Sequence, residues 1–253
     1  RIGVKKSLYE SLDKISSILA PWGILTGIRP IKIAHTLLDN GVDEKEIVNI
    51  LLNEYKIFPE KVELILDICK GQRKYLYPLD RNRFSLYISI PFCPTTCLYC
   101  SFPSCNINRY SDYVDQYTDK LIYEIDNIKS IMKDKHVSTI YIGGGTPTAI
   151  PVDNLDKIIL HLYKNFGREN IEEITVEAGR PDTIDYQTLM MLKRNKVNRI
   201  SINPQTMNDS TLKLIGRKHN SKDIIKSYYL ARQIGFDVIN MDLIIGLPSE
   251  GLK

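Results

Sequence analysis

The sequence predicts an α/β fold of parallel strands, preceded by a small helical region. Two observations carry this prediction. From residue 84 onward, short β-branched and aromatic runs alternate with longer stretches of helical periodicity. Residues 1–80 read as helical instead. The chain therefore divides into a helical region, 1–80, and an α/β region, 81–253.

In the first region, Asp43 followed by Glu46 reads as a capping box opening an amphipathic helix with Ile47, Ile50, Leu51 and Leu52 on its apolar face. Pro59 suits the first turn of the next helix, where Val62, Ile65, Leu66 and Cys69 are the apolar positions. Pro21-Trp22-Gly23 breaks the helical pattern before them. On such a face Cys69 reads as a small buried hydrophobe rather than a reactive thiol.

In the second region the strands fall at about 84–90, 138–143, 171–177, 198–203 and 236–243. Helices fill the gaps near 110–133, 153–165, 183–195 and 220–234. Alternation of this kind implies parallel strands joined by right-handed crossovers. An open Rossmann-like sheet and a barrel both fit it.

The net charge is +4 and the charges are interspersed, so no nucleic-acid surface is indicated. No apolar run reaches the length of a membrane span, and no signal peptide opens the chain. The chain starts at Arg1 rather than Met and stops soon after a strand-like run, so it reads as a fragment of a longer protein, with the α/β region incomplete at its C-terminal end. Four of five cysteines crowd between Cys93 and Cys105. Clustered thiols in a chain expected to be cytoplasmic point to metal or redox chemistry, not to a disulfide framework.

The cysteine spacing narrows that chemistry. Cys93, Cys97 and Cys100 form a C-x3-C-x2-C loop directly after the first strand. Thiolates ligate iron–sulfur clusters, and a short loop can wrap three of them around one [4Fe–4S] cube. Three ligands for four irons leave one iron open to a chelating molecule. A structural zinc site asks for four ligands. Here the fourth would be Cys105 or a remote histidine, and His35, His136, His161 and His219 are all distant in sequence.

A barrel site collects residues from the C-terminal ends of several strands. The other distinctive motifs fall at that same end. Gly143, Gly144, Gly145 and Thr146 follow the second strand, Glu177 ends the third, Gln205 follows the fourth and Asp242 lies near the end of the fifth. The glycine run lets backbone approach a ligand closely, and no Gly-Lys-Ser/Thr follows to make it a P-loop. Glu177 reads either as a ligand to a bound molecule or as a solvated strand end. Arg217 is a weaker candidate, and His219 reads as an ordinary surface histidine.

C-x3-C-x2-C with the aromatic Tyr99 before the last cysteine resembles the signature of the radical S-adenosylmethionine (SAM) superfamily. Residues 86–93, 141–148, 175–178, 199–205, 216–217 and 240–248 are similar, in order, to the oxygen-independent coproporphyrinogen III oxidase family. Pro21 to Pro30 resembles the N-terminal region of its HemZ-type coproporphyrinogen dehydrogenase branch. The resemblance implies a partial (β/α)6 barrel, a [4Fe–4S] cluster on Cys93, Cys97 and Cys100, and SAM as cofactor. It implies that Tyr87, Gly144 and Glu177 hold the SAM that is cleaved. Tyr99, Gly143, Gly145, Thr146, Gln205, Arg217 and Asp242 match SAM-contacting positions. The implied reaction is oxidative decarboxylation of coproporphyrinogen III propionates by a 5′-deoxyadenosyl radical, fed by a flavodoxin- or ferredoxin-type electron donor. One departure stands out. The best-known branch has a fourth cysteine two positions after the third, where this chain has Phe102. Relatives that bind heme and hand it on share that departure, so a heme chaperone on the same scaffold is the alternative expectation, followed by an enzyme acting on heme.

Overall fold

The computed structural model describes residues 2–16, 20–27 and 29–251. Arg1, residues 17–19, Ile28, Leu252 and Lys253 lie outside the described residues, so Ile28 of the segment after Trp22 is not described. The chain divides into two compact units, Arg1–Asp80 and Arg81–Lys253.

The first unit is helical: α1 (Ile2–Asp13), α2 (Pro30–Asp39), α3 (Glu44–Asn49) running into a π-turn at Ile50–Glu54, and α4 (Pro59–Leu76). Its core joins Ala34, Ile47, Leu51, Ile57, Val62, Ile65, Leu66 and Cys69. Cys69 is fully buried among them. Asp43 caps α3 by accepting from the Glu46 N–H at 3.0 Å. Only that half of the expected capping box is formed, because the Glu46 carboxylate accepts from Asn49 instead, at 3.4 Å. Gly23 is required where it stands: its φ is +56°, and a Cβ there would meet the Tyr55 carbonyl at 2.0 Å.

The second unit begins with β1 (Arg83–Ile90), followed by the two-residue strands β2 (Phe92–Cys93) and β3 (Cys105–Asn106). Next come α5 (Ile107–Tyr110), α6 (Val114–Ile131), β4 (His136–Gly144), α7 (Val152–Phe166), β5 (Glu173–Glu177) and α8 (Tyr186–Arg194). The unit continues with β6 (Arg199–Ser201), α9 (Asp209–Leu214), α10 (Ser221–Ile234) and β7 (Val238–Asn240). Five strands form one parallel sheet in the order β1-β4-β5-β6-β7. That order decides between the two architectures. A doubly wound sheet reverses direction at a switch point, whereas here each new strand adds on the same side. Right-handed crossovers then put α6, α7, α8 and α10 on one face, as in a partial barrel.

Side-chain parity follows the period of two. Leu86, Ile88, Ile90, Ile140, Ile142, Ile174, Val176 and Ile200 are buried in one cluster with Leu121, Ile125, Leu155, Ile158, Ile159, Leu162, Leu189 and Leu192 of the helices. Ser85, Tyr87, Thr139, Tyr141, Thr175, Glu177, Arg199 and Ser201 take the other parity, on the inner face. The registers Tyr87↔Tyr141, Tyr141↔Thr175 and Thr175↔Arg199 align them in rows.

Three expectations need correction. The fourth and fifth strands are shorter than their sequence runs because Pro204 has no N–H and interrupts the ladder. Pairing resumes only as an isolated bridge between Gln205 and Leu243, with Gln205 at φ +65°. Asp242 thus sits in the loop after β7. The run at 110–133 breaks into α5, a 3₁₀ turn at Ser111–Tyr113 and α6. The helix α9, unforeseen in the sequence, is capped by Asn208, which accepts from the Ser210 N–H at 3.1 Å.

Candidate active site at the strand ends

The C-terminal ends of the strands open into one cleft. It is lined by Cys93, Cys97, Cys100, Tyr99, Gly144, Gly145, Thr146, Glu177, Gln205, Arg217 and Asp242, together with Thr95, Arg180 and Asn203. Tyr87 and Gly143 stand just outside the lining. A larger hollow of about 450 Å³ lies near the starts of α6 and α8, but it carries no thiol and no glycine turn. The chemistry is concentrated in the cleft.

The cysteine loop is tied down on three sides. Its ends are pinned by the β2–β3 pair, with Cys105 N–H donating to the Pro91 carbonyl at 2.7 Å. Its middle is held by the turn after α9: Leu98 N–H donates to the Ile215 carbonyl at 3.1 Å, and the Thr95 hydroxyl to the Gly216 carbonyl at 3.0 Å. The third tie is the glycine turn after β4, where Gly145 N–H donates to Ile90 and Thr146 N–H to Phe92, both at 2.8 Å. A Cβ on Gly145 would meet those same two carbonyls at 2.9 and 2.8 Å and the Cys93 sulfur at 3.0 Å. Gly144 has φ +103°, which a side chain resists.

Cys97 is buried, Cys93 and Cys100 are half-buried, and Cys105 is exposed and outside the cleft. Burial pushes the Cys93 thiol up, opposed by a 3.4 Å contact with the Thr146 hydroxyl and by the charge of Arg180. Among the described residues, no three His, Cys, Asp or Glu side chains converge on a single point as ligands of one metal ion would. Thiolates on a cube each bind a different iron and need no such convergence. The set suits a cluster better than zinc.

Glu177 ends β5 beside the glycine turn and is half-buried. It accepts from the Tyr141 hydroxyl at 2.5 Å. Burial raises its carboxyl above the usual range and the nearby Asp242 adds to that, while the Tyr141 bond and the Gly144 backbone pull it down. Tyr141 in turn stacks on Tyr87, with ring centroids 5.8 Å apart and planes 14° apart. A Cβ on Gly143 would lie 2.8 Å from the Tyr141 ring and 2.9 Å from the Glu177 carboxylate, so both side chains would have to shift. Arg217 is buried, with its guanidinium donating to the carbonyls of Asn203 at 2.7 Å and Gly179 at 3.2 Å and to the Tyr99 hydroxyl at 3.2 Å.

Sequence reasoning missed Tyr141, Arg180 and Asp182. Tyr141 was legible from strand parity, because it shares the inner face with Glu177. Arg180 and Asp182 follow the strand-end Glu177 in Gly179-Arg180-Pro181-Asp182, the place where barrel sites gather residues. His219 is corrected as well. It is buried, not at the surface, its Nδ1 lies 3.3 Å from Asp182, and its Nε2 has no partner.

Comparison with known proteins agrees with this geometry. The model of the radical SAM superfamily matches residues 87–253. This chain belongs to the radical SAM superfamily. Its relatives include an oxygen-independent coproporphyrinogen-III oxidase-like protein HemZ of Bacillus subtilis, 44% identical over 96% of this chain and 49% of that protein. The heme chaperone HemW of the same organism is 39% identical over 67% of this chain and 44% of that protein. Among solved structures, the radical SAM coproporphyrinogen III oxidase HemN of Escherichia coli superposes with a TM-score of 0.61 at 32% identity, covering 72% of this chain and 41% of that one. The chain spans about half the length, or less, of the curated relatives named here. Among the described residues, no helix is long and apolar enough to cross a membrane.

Proposed function

We propose that this chain is the cluster-bearing part of a cytoplasmic radical SAM oxidoreductase that decarboxylates coproporphyrinogen III propionates to protoporphyrinogen IX, drawing electrons from a flavodoxin- or ferredoxin-type protein. The observation that carries the reading is the single cleft in which three cysteines of one loop meet a glycine turn and a half-buried carboxylate from other strands. The HemZ relative adds weight, because its similarity extends over 96% of this chain, whereas the HemW similarity covers 67%.

In this reading Cys93, Cys97 and Cys100 hold a [4Fe–4S] cluster. Gly144 and Gly145, with Tyr87, Tyr99, Gly143, Thr146, Glu177, Gln205, Arg217 and Asp242, would hold SAM. When bound, the cluster and SAM would supply the radical chemistry that removes one hydrogen atom from a propionate; loss of CO2 to leave a vinyl group would also require a one-electron acceptor for the electron left on the substrate. The protein's own part is positional. Tyr141 aims the Glu177 carboxylate at the cleft as an acceptor for an ammonium group. The glycine turn admits a ligand against backbone, and the buried Arg217 ties Tyr99 of the cysteine loop to the turns after β5 and β6. A cation at the cleft also suits the anionic propionates of the substrate.

The second reading is a heme chaperone on the same scaffold. It is favoured by Phe102, exposed at the cleft where the best-known oxidase branch has a cysteine. One experiment separates the two. The full-length protein is reconstituted with iron and sulfide without oxygen, then given SAM, a reductant and coproporphyrinogen III. 5′-Deoxyadenosine formed together with stepwise loss of propionate carboxyls is the expected result. Stoichiometric heme binding without a change in porphyrin mass selects the chaperone.

A further inference from the structure

Arg180 is a buried cation that neither the radical chemistry nor the SAM contacts above employ. Its side chain is 4% exposed, and its fork is divided between Thr95 and Asp182. One edge faces the cysteine loop: Nη1 donates to the Thr95 carbonyl at 3.1 Å and the Thr95 hydroxyl at 2.9 Å, and lies 4.0 Å from the Cys97 sulfur. The other edge grips Asp182 through two bonds, at 3.1 and 3.2 Å. Asp182 is held in turn by His219 at 3.3 Å. A planar fork shared between a backbone carbonyl, a hydroxyl and a carboxylate cannot swing away from the sulfur without breaking several bonds at once.

We propose that Arg180 is a positioning residue that clamps the cysteine loop through Thr95 and sets the reduction potential of the cluster by holding its positive charge beside the Cys97 sulfur. The inference rests on the cluster reading. Reduction adds one electron, and hence one negative charge, to a cluster already carrying anionic thiolates. A fixed cation beside a ligand sulfur favours the reduced form, because local charge is among the levers that tune such potentials. Asp182 and His219 keep the guanidinium aimed. A residue needed only for folding would have no reason to move the potential.

The test uses the full chain, reconstituted with iron and sulfide, as wild type, Arg180→Met and Arg180→Lys. Each is reduced by one electron with dithionite against redox dyes and followed by electron paramagnetic resonance, with iron content and thermal melts alongside. Arg180→Met is expected to keep its iron but show a reduced-to-oxidised ratio about tenfold lower at a fixed poise, which is about 59 mV for a one-electron couple. Arg180→Lys keeps the charge without the fork and is expected to fall between the two. Equal midpoints for wild type and Arg180→Met overturn the inference while leaving the cluster reading intact. If Arg180→Met does not fold, Arg180→Lys decides: a midpoint below wild type supports the clamp, and one equal to wild type overturns it. A wild type that holds no cluster overturns both.

Discussion

The two faces of the five-stranded sheet are made from the same strands, yet they do different work. Toward the helices, Ile88, Ile90, Ile142 and Val176 are packed almost without exposure. On the inner face, one residue along, Tyr87 is 55% exposed and Tyr141 and Glu177 are half-buried and bonded to each other. Period-two alternation lets one strand supply stability and chemistry independently. The candidate-site side chains converge where the strands end, because there the loops add backbone donors and thiols.

The sharpest way to break this comparison is at the loop. Cys97→Ala should abolish the brown iron–sulfur absorbance and bound iron of the reconstituted protein, while Cys105→Ala should leave both. Iron and sulfide retained in full by Cys97→Ala would remove the cluster from this site. Next is the helix-side face, where Ile142→Ala should cost about 2–5 kcal/mol of folding stability as a buried deletion. Tyr87→Phe, one strand over on the inner face, should stay within about 0.5 kcal/mol. Urea denaturation of the pair measures the asymmetry directly, and equal losses would refute it. At the joint between the faces, Gly145→Ala must displace two carbonyls and should cost about 1–3 kcal/mol, seen as a lower melting temperature together with reduced iron uptake.

The smallest effect is in pH. Native Glu177 keeps its proton to a higher pH than the unfolded chain does, because burial opposes its charge. Its contribution to stability is complete below the ordinary carboxylate range and is lost as pH rises through the raised value. Tyr141→Phe removes the bond that favours the ionised form, so the carboxyl should titrate higher still and the loss should reach further toward neutral pH. Carboxyl carbon resonances followed across a pH titration report this shift. A Glu177 that titrates unchanged in Tyr141→Phe would mean the phenol does not govern it.

What was readable without the structure was local. The cysteine spacing, the glycine turn after β4 and the buried face of α4 with Cys69 each sit within a few residues of chain. One error was itself local: Pro204, just past the expected strand, cut β6 short. The other came from a distant partner, for the buried His219 meets Asp182, 37 residues away.

The sequence by itself determined the alternation of strand and helix, the apolar face of the helix that carries Cys69, and the three thiols brought to one loop, because all of these follow from spacing along the backbone. Only the tertiary structure decided that the strands add in one direction, making a partial barrel, and that Tyr141 reaches Glu177 while Arg180 reaches Thr95, 85 residues apart. Parallel crossovers carry the chain across a helix before each new strand, so neighbours in space are distant in sequence and no local pattern records which of them will meet.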